Sequence, residues 1–308
     1  MKTLITGIEG FVGPYLAKVL LEKKHAVCGT YLNGVTKKID DVDYFHLDVT
    51  DKKEAASVIS KIRPDYIFHL AGFSSVSSSW KNPERCFIVN VEGTRNLLDA
   101  VLAAKISPKI LIVSSAEVYG KPVKLPITED HPTNPASPYA KSRLEQEKVV
   151  LEYVKKGIKA IISRSFNHTG SGQAPTFVCA SFAYQIARIK KGLQEPVIKT
   201  GDLSIQRDFT DVRDVVKAYV LAVEKCTIGE IYNICSGKVY SIKEILDMLI
   251  QISGKKDILV VKDPEKARPV DIPVLSGSNS KISLLSGWVP TIDMHSTLDG
   301  VYSYFLEN

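Results

Sequence analysis

The sequence of 308 residues predicts an α/β fold, a doubly wound parallel sheet with a smaller, mixed C-terminal lobe, on three observations. Short apolar runs alternate with helix-period segments through the first half of the chain. Runs such as Tyr66-Ile67-Phe68-His69-Leu70 lack period-two alternation, so both faces must be covered, as helices cover a parallel sheet. The first run, Lys2–Thr6, feeds straight into Gly7-Ile8-Glu9-Gly10-Phe11-Val12-Gly13, a glycine-spaced turn between strand and helix.

The elements follow in order. Lys2–Thr6, Ala26–Tyr31, Tyr44–Leu47, Tyr66–Leu70, Lys109–Ser114 and Lys159–Ser163 are short apolar runs of strand length. Val12–Glu22, Lys52–Ile62, Pro83–Ala104 and Pro138–Lys156 are longer and amphipathic, and two open on a proline, which suits a helix start. From about Asn167 the rhythm loosens, with Gly, Pro and Ser clusters over Thr169–Pro175 and Asp263–Pro273. Residues 1–166 are therefore expected to form the first domain and 167–308 mainly a smaller lobe. The apolar run Ile231–Cys235 should rejoin the main sheet, returning about 210–236 to the first domain.

Composition narrows the function. A hydrophobic content of 44% is ordinary for a globular protein. Five cysteines without C-x-x-C spacing are an odd number and suit reduced thiols, three of them inside apolar runs. The N-terminus does not have the shape of a signal peptide, and no apolar run reaches spanning length. A cytoplasmic protein without a membrane partner is expected. The net charge of +6 is spread among 34 acids, and pairs such as Lys23-Lys24, Lys37-Lys38 and Lys190-Lys191 read as solvated surface. That argues against nucleic acid and suits a small phosphorylated ligand. Six histidines show no ligand spacing, so no metal is expected.

The glycine turn lets backbone N–H groups approach a pyrophosphate at a helix N-terminus, the pattern of a Rossmann-type dinucleotide site. The end of the second strand, Cys28-Gly29-Thr30-Tyr31-Leu32-Asn33, has no acid for a ribose 2′-hydroxyl. Thr30, Asn33 and Lys37 or Lys38 would instead face a 2′-phosphate, which leans the expectation to NADP(H) over NAD(H). Asp48 ends the third strand, either to accept from an adenine amino group or to cap the next helix.

Ser137-Pro138-Tyr139-Ala140-Lys141-Ser142-Arg143 opens a helix with a phenol at its first turn. Tyr139 can donate or accept a proton there, or be an amphipathic interface residue. Arg143, four residues on, shares its face, whereas Lys141 does not. Ser115 ends the fifth strand at the sheet edge where such folds hold ligands, and Glu117 follows as a base or a solvated turn residue. In the second lobe, Phe166-Asn167-His168-Thr169-Gly170, Gln206-Arg207-Asp208-Phe209 and Arg268-Pro269-Val270-Asp271 bring polar groups suited to phosphate and ribose, or to surface ion pairs.

With these segments the chain resembles, over essentially its whole length, the extended short-chain dehydrogenase/reductases that act on nucleotide sugars. The strings F-N-H-T-G, V-I-K-T-G-D-L-S-I-Q-R-D-F-T-D-V-R-D, N-I-C-S-G and R-P-V-D-I-P-V-L are most similar to GDP-6-deoxy-4-keto-mannose reductases and GDP-mannose 4,6-dehydratases. The resemblance implies a role in deoxysugar biosynthesis and a catalytic set at Ser115, Tyr139 and Arg143, with Glu117 where the dehydratases remove a C5 proton. It implies cofactor contacts at Gly7, Gly10, Phe11, Val12, Gly13, Thr30, Asp48, Val49, Leu70, Ala71, Gly72, Asn90, Tyr139 and Arg143, with some of these supporting the loop. The GDP-sugar is expected at Ser75, Ser115, Glu117, Asn167, His168, Val178, Lys199, Arg207, Arg268 and Asp271. A homodimer through the helices Pro83–Ala104 and Pro138–Lys156 is also implied.

Gly10-Phe11-Val12-Gly13 resembles the reductases, because the dehydratases tend to carry Gln-Asp between these glycines. NADPH-dependent reduction at C4 of a GDP-4-keto-6-deoxyhexose is thus expected, with the redox-neutral dehydratase as the alternative. The departure from the family pattern is Arg143, which stands where the family has lysine. Arginine keeps the charge but does not lend a proton. Support of Tyr139 with a weakened ribose contact is the expectation, and a non-catalytic binding protein is the reading from another class.

Overall fold

A computed structural model describes residues 1–35, 38–264 and 272–308. Lys37, Arg268 and Asp271 lie outside the described residues. In chain order the strands are β1 (Lys2–Thr6), β2 (Ala26–Tyr31), β3 (Val42–His46), β4 (Tyr66–His69), β5 (Lys109–Ser115), β6 (Lys159–Ser165), β7 (Asn167–Thr169), β8 (Val197–Thr200), β9 (Gln206–Asp211), β10 (Ile231–Ile234), β11 (Val239–Ser241), β12 (Leu259–Lys262) and β13 (Val274–Leu275). The helices are α1 (Gly13–Glu22), α2 (Lys52–Ile62), α3 (Val76–Lys81), α4 (Pro83–Phe87), α5 (Gly93–Ala103), α6 (Pro138–Lys155), α7 (Val178–Lys190), α8 (Val212–Lys225), α9 (Ile242–Ser253), α10 (Ser280–Ser286) and α11 (Met294–Glu307).

Seven strands form one parallel sheet in the order β10-β6-β5-β4-β1-β2-β3. Successive residues of a strand point to opposite faces, and here both faces are buried. Leu4, Ile67, Ile110 and Ile162 pack with Val58, Ile59, Leu97, Val101, Val149 and Val150 of α2, α5 and α6. Ile5, Phe68, Leu111 and Ile161 pack with Leu16, Leu20, Val216, Tyr219 and Val223 of α1 and α8. This two-sided burial is why the strands read as unbroken apolar runs.

The order reverses between β1 and β4, and the crevice at that switch opens at the C-terminal strand ends, where this architecture binds ligands. Beyond it, β7, β9, β11 and β13 make a small mixed sheet, and β8 pairs with β12. A separate core of Phe182, Ile186, Phe209, Ile245, Leu249 and Leu298 lies among α7, α9 and α11.

Besides a sixth strand that runs two residues further, to Ser165, three local features differ from the sequence reading. The third strand starts two residues early, at Val42. Val76–Lys81 is a helix that the serine-rich sequence conceals, with Ser75 as its N-cap. The expected helix Pro83–Ala104 is broken by a π turn over Ile88–Glu92. Such a turn admits an extra residue, and it carries the wholly buried Asn90, whose Oδ1 accepts the Phe73 N–H at 2.8 Å. All five cysteines are buried and unpaired. Among the described residues no helix is long and apolar enough to cross a membrane, and no His, Cys, Asp and Glu group has metal-holding geometry.

Candidate active site

The glycine turn between β1 and α1 is built for close approach. Gly7 has φ +69° and a Cβ there would stand 2.9 Å from Ala71 Cα, while a Cβ at Gly13 would fall 2.1 Å from Ile8 O. Only glycine meets both conditions. Gly7 N–H donates to Thr30 Oγ1 at 3.2 Å, so Thr30, expected to face a 2′-phosphate, also pins the loop from a buried position. Lys38 is exposed and stands outside the cleft lining.

A cleft of about 560 Å³ runs along the strand ends. Gly7, Gly10, Phe11, Val12, Gly13, Thr30, Asp48, Val49, Leu70, Ala71 and Gly72 line one end; Ser75, Ser115, Glu117, Tyr139, Arg143, Asn167, His168 and Val178 line the rest. Besides Asn33 and Lys38, three residues that the family resemblance implied stand outside it. Asn90 is buried behind the Gly72-Phe73 turn. Lys199 is exposed on β8. Arg207 is buried, with Nη1 donating to Ile272 O at 2.6 Å.

Asp48 does not cap the next helix, because Asp51 does so through the N–H groups of Lys53 and Glu54. Its Oδ1 accepts from Thr50 N and Oγ1, and Oδ2 faces Arg85 Nη2 at 3.8 Å. Burial raises the carboxyl's pKa, but Thr50 and Arg85 outweigh it and hold the group below its ordinary value.

The other end is organised by α6. Ser137 caps it through Ala140 N–H at 3.1 Å, and Tyr139 N–H donates to Ser79 Oγ at 3.1 Å. Tyr139, Arg143, Gln146, Glu147 and Val150 share the buried face, while Lys141 is exposed. The Arg143 guanidinium carbon lies 5.3 Å from the Tyr139 ring centroid. Its Nη1 donates to Val113 O and Gln146 Oε1, both at 3.0 Å, and Nη2 to Phe73 O at 3.2 Å. Nε is buried without a hydrogen-bond partner. The fork and Asn90 together crowd Gly72, where a Cβ would meet Nη2 at 2.9 Å, Asn90 Oδ1 at 3.0 Å and Nη1 at 3.2 Å.

Behind Arg143 lies a buried polar chain. Gln146 Nε2 donates to Thr94 Oγ1, whose own proton goes to Asn90 O. The 3.1 Å contact between Thr94 and His69 Nε2 must therefore be a bond donated by the imidazole, leaving Nδ1 to accept from Thr6 Oγ1 at 2.8 Å. Burial, aided by the Arg143 charge, holds His69 down to about 3. It is neutral there.

A second buried set ties α6 to the sheet. Glu147 accepts from Ser114 Oγ at 2.6 Å and from Arg164 Nη2 at 2.7 Å. Ser115, opposite Ser165 in the β5–β6 register, accepts Glu117 N–H at 3.2 Å. Sequence reasoning missed Ser165 and Tyr219, which line the cleft and bond to each other at 2.7 Å. Strand register carried a signal for Ser165; Tyr219 comes from α8 with none. Burial pushes the Tyr219 phenol up to about 12.

Phe11 stacks on His168, with centroids 6.3 Å apart and 7° between planes. His168 Nδ1 lies 3.0 Å from Phe166 O, and burial lowers its pKa. These features fit a nicotinamide dinucleotide. The cradle excludes any Cβ at Gly7 and Gly13, the loop leads into a helix N-terminus, and Arg143 Nε–H is a buried donor on a cleft-lining residue.

Comparison with known proteins agrees with this geometry. GDP-6-deoxy-D-mannose reductase of Pseudomonas aeruginosa is 33% identical over 305 residues, 98% of this chain and 96% of that protein. GDP-mannose 4,6-dehydratase of Vibrio cholerae serotype O1 is 28% identical, covering 99% of this chain and 93% of its own. The solved structure of RMD from Pseudomonas aeruginosa complexed with NADPH matches with a TM-score of 0.86 and 31% identity over 99% of each chain. Thermus thermophilus UDP-glucose 4-epimerase in complex with NAD gives 0.87 and 28%, again over 99% of each chain. The family model described as GDP-mannose 4,6 dehydratase matches residues 4–300, and the chain belongs to that family.

Proposed function

We propose that this protein reduces the C4 ketone of a GDP-linked 4-keto-6-deoxyhexose, with NADPH or NADH as the hydride donor. The observation that carries the reading is the single cleft joining the glycine turn to Ser115, Glu117 and Tyr139, in a chain similar end to end to a GDP-6-deoxy-D-mannose reductase. When bound, the reduced nicotinamide supplies the hydride. Tyr139 gives a proton to O4, and Ser115 hydrogen-bonds the same oxygen. Arg143 contributes fixed positive charge beside the phenol ring and no proton.

Gly7, Gly10, Phe11, Val12, Gly13, Asp48, Val49, Leu70, Ala71 and Gly72 hold the dinucleotide in this reading, with Thr30 and Asn90 supporting the turns. Asn167, His168, Ser75 and Val178 face the sugar nucleotide. Lys199, Arg207, Arg268 and Asp271 serve its GDP end. Residues 1–166 with about 210–236 thus bind the cofactor, and the remainder of 167–308 binds the sugar nucleotide. The chain acts in the cytoplasm in deoxysugar biosynthesis, as a homodimer paired through α4, α5 and α6.

Glu117 on the cleft wall favours a second reading, the GDP-mannose 4,6-dehydratase, in which it removes the C5 proton. The deciding experiment incubates the protein with GDP-mannose and, separately, with its 4-keto-6-deoxy derivative while NADPH is followed. Consumption with the keto sugar supports the reductase. Conversion of GDP-mannose without net NADPH use would replace it with the dehydratase.

A further inference from the structure

The end of β2 carries no acid in Thr30-Tyr31-Leu32-Asn33, yet the fold brings a carboxylate to it. Glu9 sits between the first two glycines, and its Oε1 accepts the Leu32 N–H at 2.9 Å. This bond crosses from the β1–α1 turn to the residue just after β2 and fixes the carboxylate there. Glu9 is exposed and lines the cleft with Thr30, Tyr31, Leu32 and Asp48. Among the described residues, no ion pair neutralises it. Arg85, on the same wall, faces Asp48, and Arg143 is tied to Val113, Phe73 and Gln146.

The end of β2 is where this class of sheet holds the adenosine ribose. An acid there accepts the 2′-hydroxyl, and a cation accommodates a 2′-phosphate. A fixed, unneutralised carboxylate attracts the hydroxyl proton and repels a phosphate dianion. We infer that Glu9 is the residue that sets cofactor choice, accepting the ribose 2′-hydroxyl so that the protein binds NADH at least as tightly as NADPH. The inference rests on reading this cleft as the nicotinamide-dinucleotide site. It departs from the expectation that the loop after β2 alone decides the matter, since the deciding group comes from the glycine turn.

The test is fluorescence titration of the full chain with NADH and with NADPH, without sugar. It compares the wild type, Glu9→Gln, and a Lys37→Ala/Lys38→Ala double variant. Glutamine retains an acceptor for Leu32 N–H while removing the charge, and the site is exposed, so folding is preserved. Glu9→Gln should shift the NADPH/NADH affinity ratio toward NADPH by about tenfold at low salt and by less at 0.5 M salt. A purely structural role for Glu9 would not produce that salt dependence. A wild type that prefers NADPH tenfold, with a ratio unmoved by Glu9→Gln and lost in the lysine variant, would overturn the inference while leaving the dinucleotide site intact. Binding of neither cofactor would overturn the reading of the cleft itself, and the inference with it.

Discussion

Replacing Arg143 by lysine should make the protein less stable and its site better. The guanidinium spends both terminal nitrogens on protein acceptors, Val113 O and Gln146 Oε1 at 3.0 Å and Phe73 O at 3.2 Å, from a position only 5% exposed. A lysine ammonium reaches one of these in place of three. Each buried charge-assisted bond contributes about 1.5–3 kcal/mol; with Gln146 free to re-pair, the net loss is about 2–4 kcal/mol. For a chain of this size that lowers the melting temperature by about 2 °C per kcal/mol, or about 4–8 °C in a thermal-shift assay.

Lysine's rotatable donors are not committed to the protein as the fork is. One additional bond to a bound dinucleotide, worth about 1 kcal/mol, should tighten its dissociation constant about fivefold, and turnover should rise. Coupling to Gly72 gives an independent check. Gly72→Ala drives a Cβ into Nη1 and Nη2 in the wild type, so its cost should fall by about 1 kcal/mol in the Arg143→Lys background. A lysine variant as stable as the wild type, with unchanged cofactor affinity and turnover, would refute this account of Arg143.

Three further outcomes are expected. Tyr139→Phe should lower turnover about 10²–10⁴-fold while cofactor affinity, measured by titration, stays within about threefold; comparable turnover would remove Tyr139 from the proton step. Glu117→Gln should leave NADPH-dependent reduction of the keto sugar within about twofold if the protein is a reductase, so a loss beyond about a hundredfold would assign Glu117 to the chemistry. The third concerns pH. Folding holds His69 at about 3 against an ordinary 6.5, so below 6.5 the unfolded chain binds a proton that the folded chain refuses. Stability from neutral His69 is complete above 6.5 and lost as pH falls toward 3, about 2 kcal/mol of it by pH 5. Urea melts at pH 7 and pH 5 should show a smaller difference for His69→Gln; equal differences would place the acid sensitivity elsewhere.

Much of this was legible because the chemistry was local. The parallel sheet was visible in strands without alternation, and the dinucleotide turn in three glycines after a strand. The fold class, family and reductase likeness follow from continuous segments. What escaped lies across the fold. Tyr219 reaches the cleft from α8, and no spacing in the sequence links it to Tyr139. The π turn at Ile88–Glu92 interrupts a segment whose periodicity read as one helix, and it carries Asn90, whose partner, the Phe73 N–H, lies outside that segment. Thr30 stands at the end of β2 as read, but no spacing showed that its Oγ1 also accepts the Gly7 N–H. Arg143 sat at the spacing that faces Tyr139, but sequence could not show that three carbonyl-type oxygens had claimed its fork.

The stacking of Phe11 on His168, with Tyr15 OH donating to Ser171 O at 2.7 Å, joins the glycine turn to the segment that follows β6. In the proposed reading, a ring from the loop that holds the dinucleotide stands against a residue that faces the sugar nucleotide, so coupling between the two ligands would cross this contact. By linkage, the factor by which dinucleotide binding alters sugar-nucleotide affinity must equal the factor returned in the opposite direction. Trimming Phe11 to alanine cuts that contact, and it should reduce both factors together.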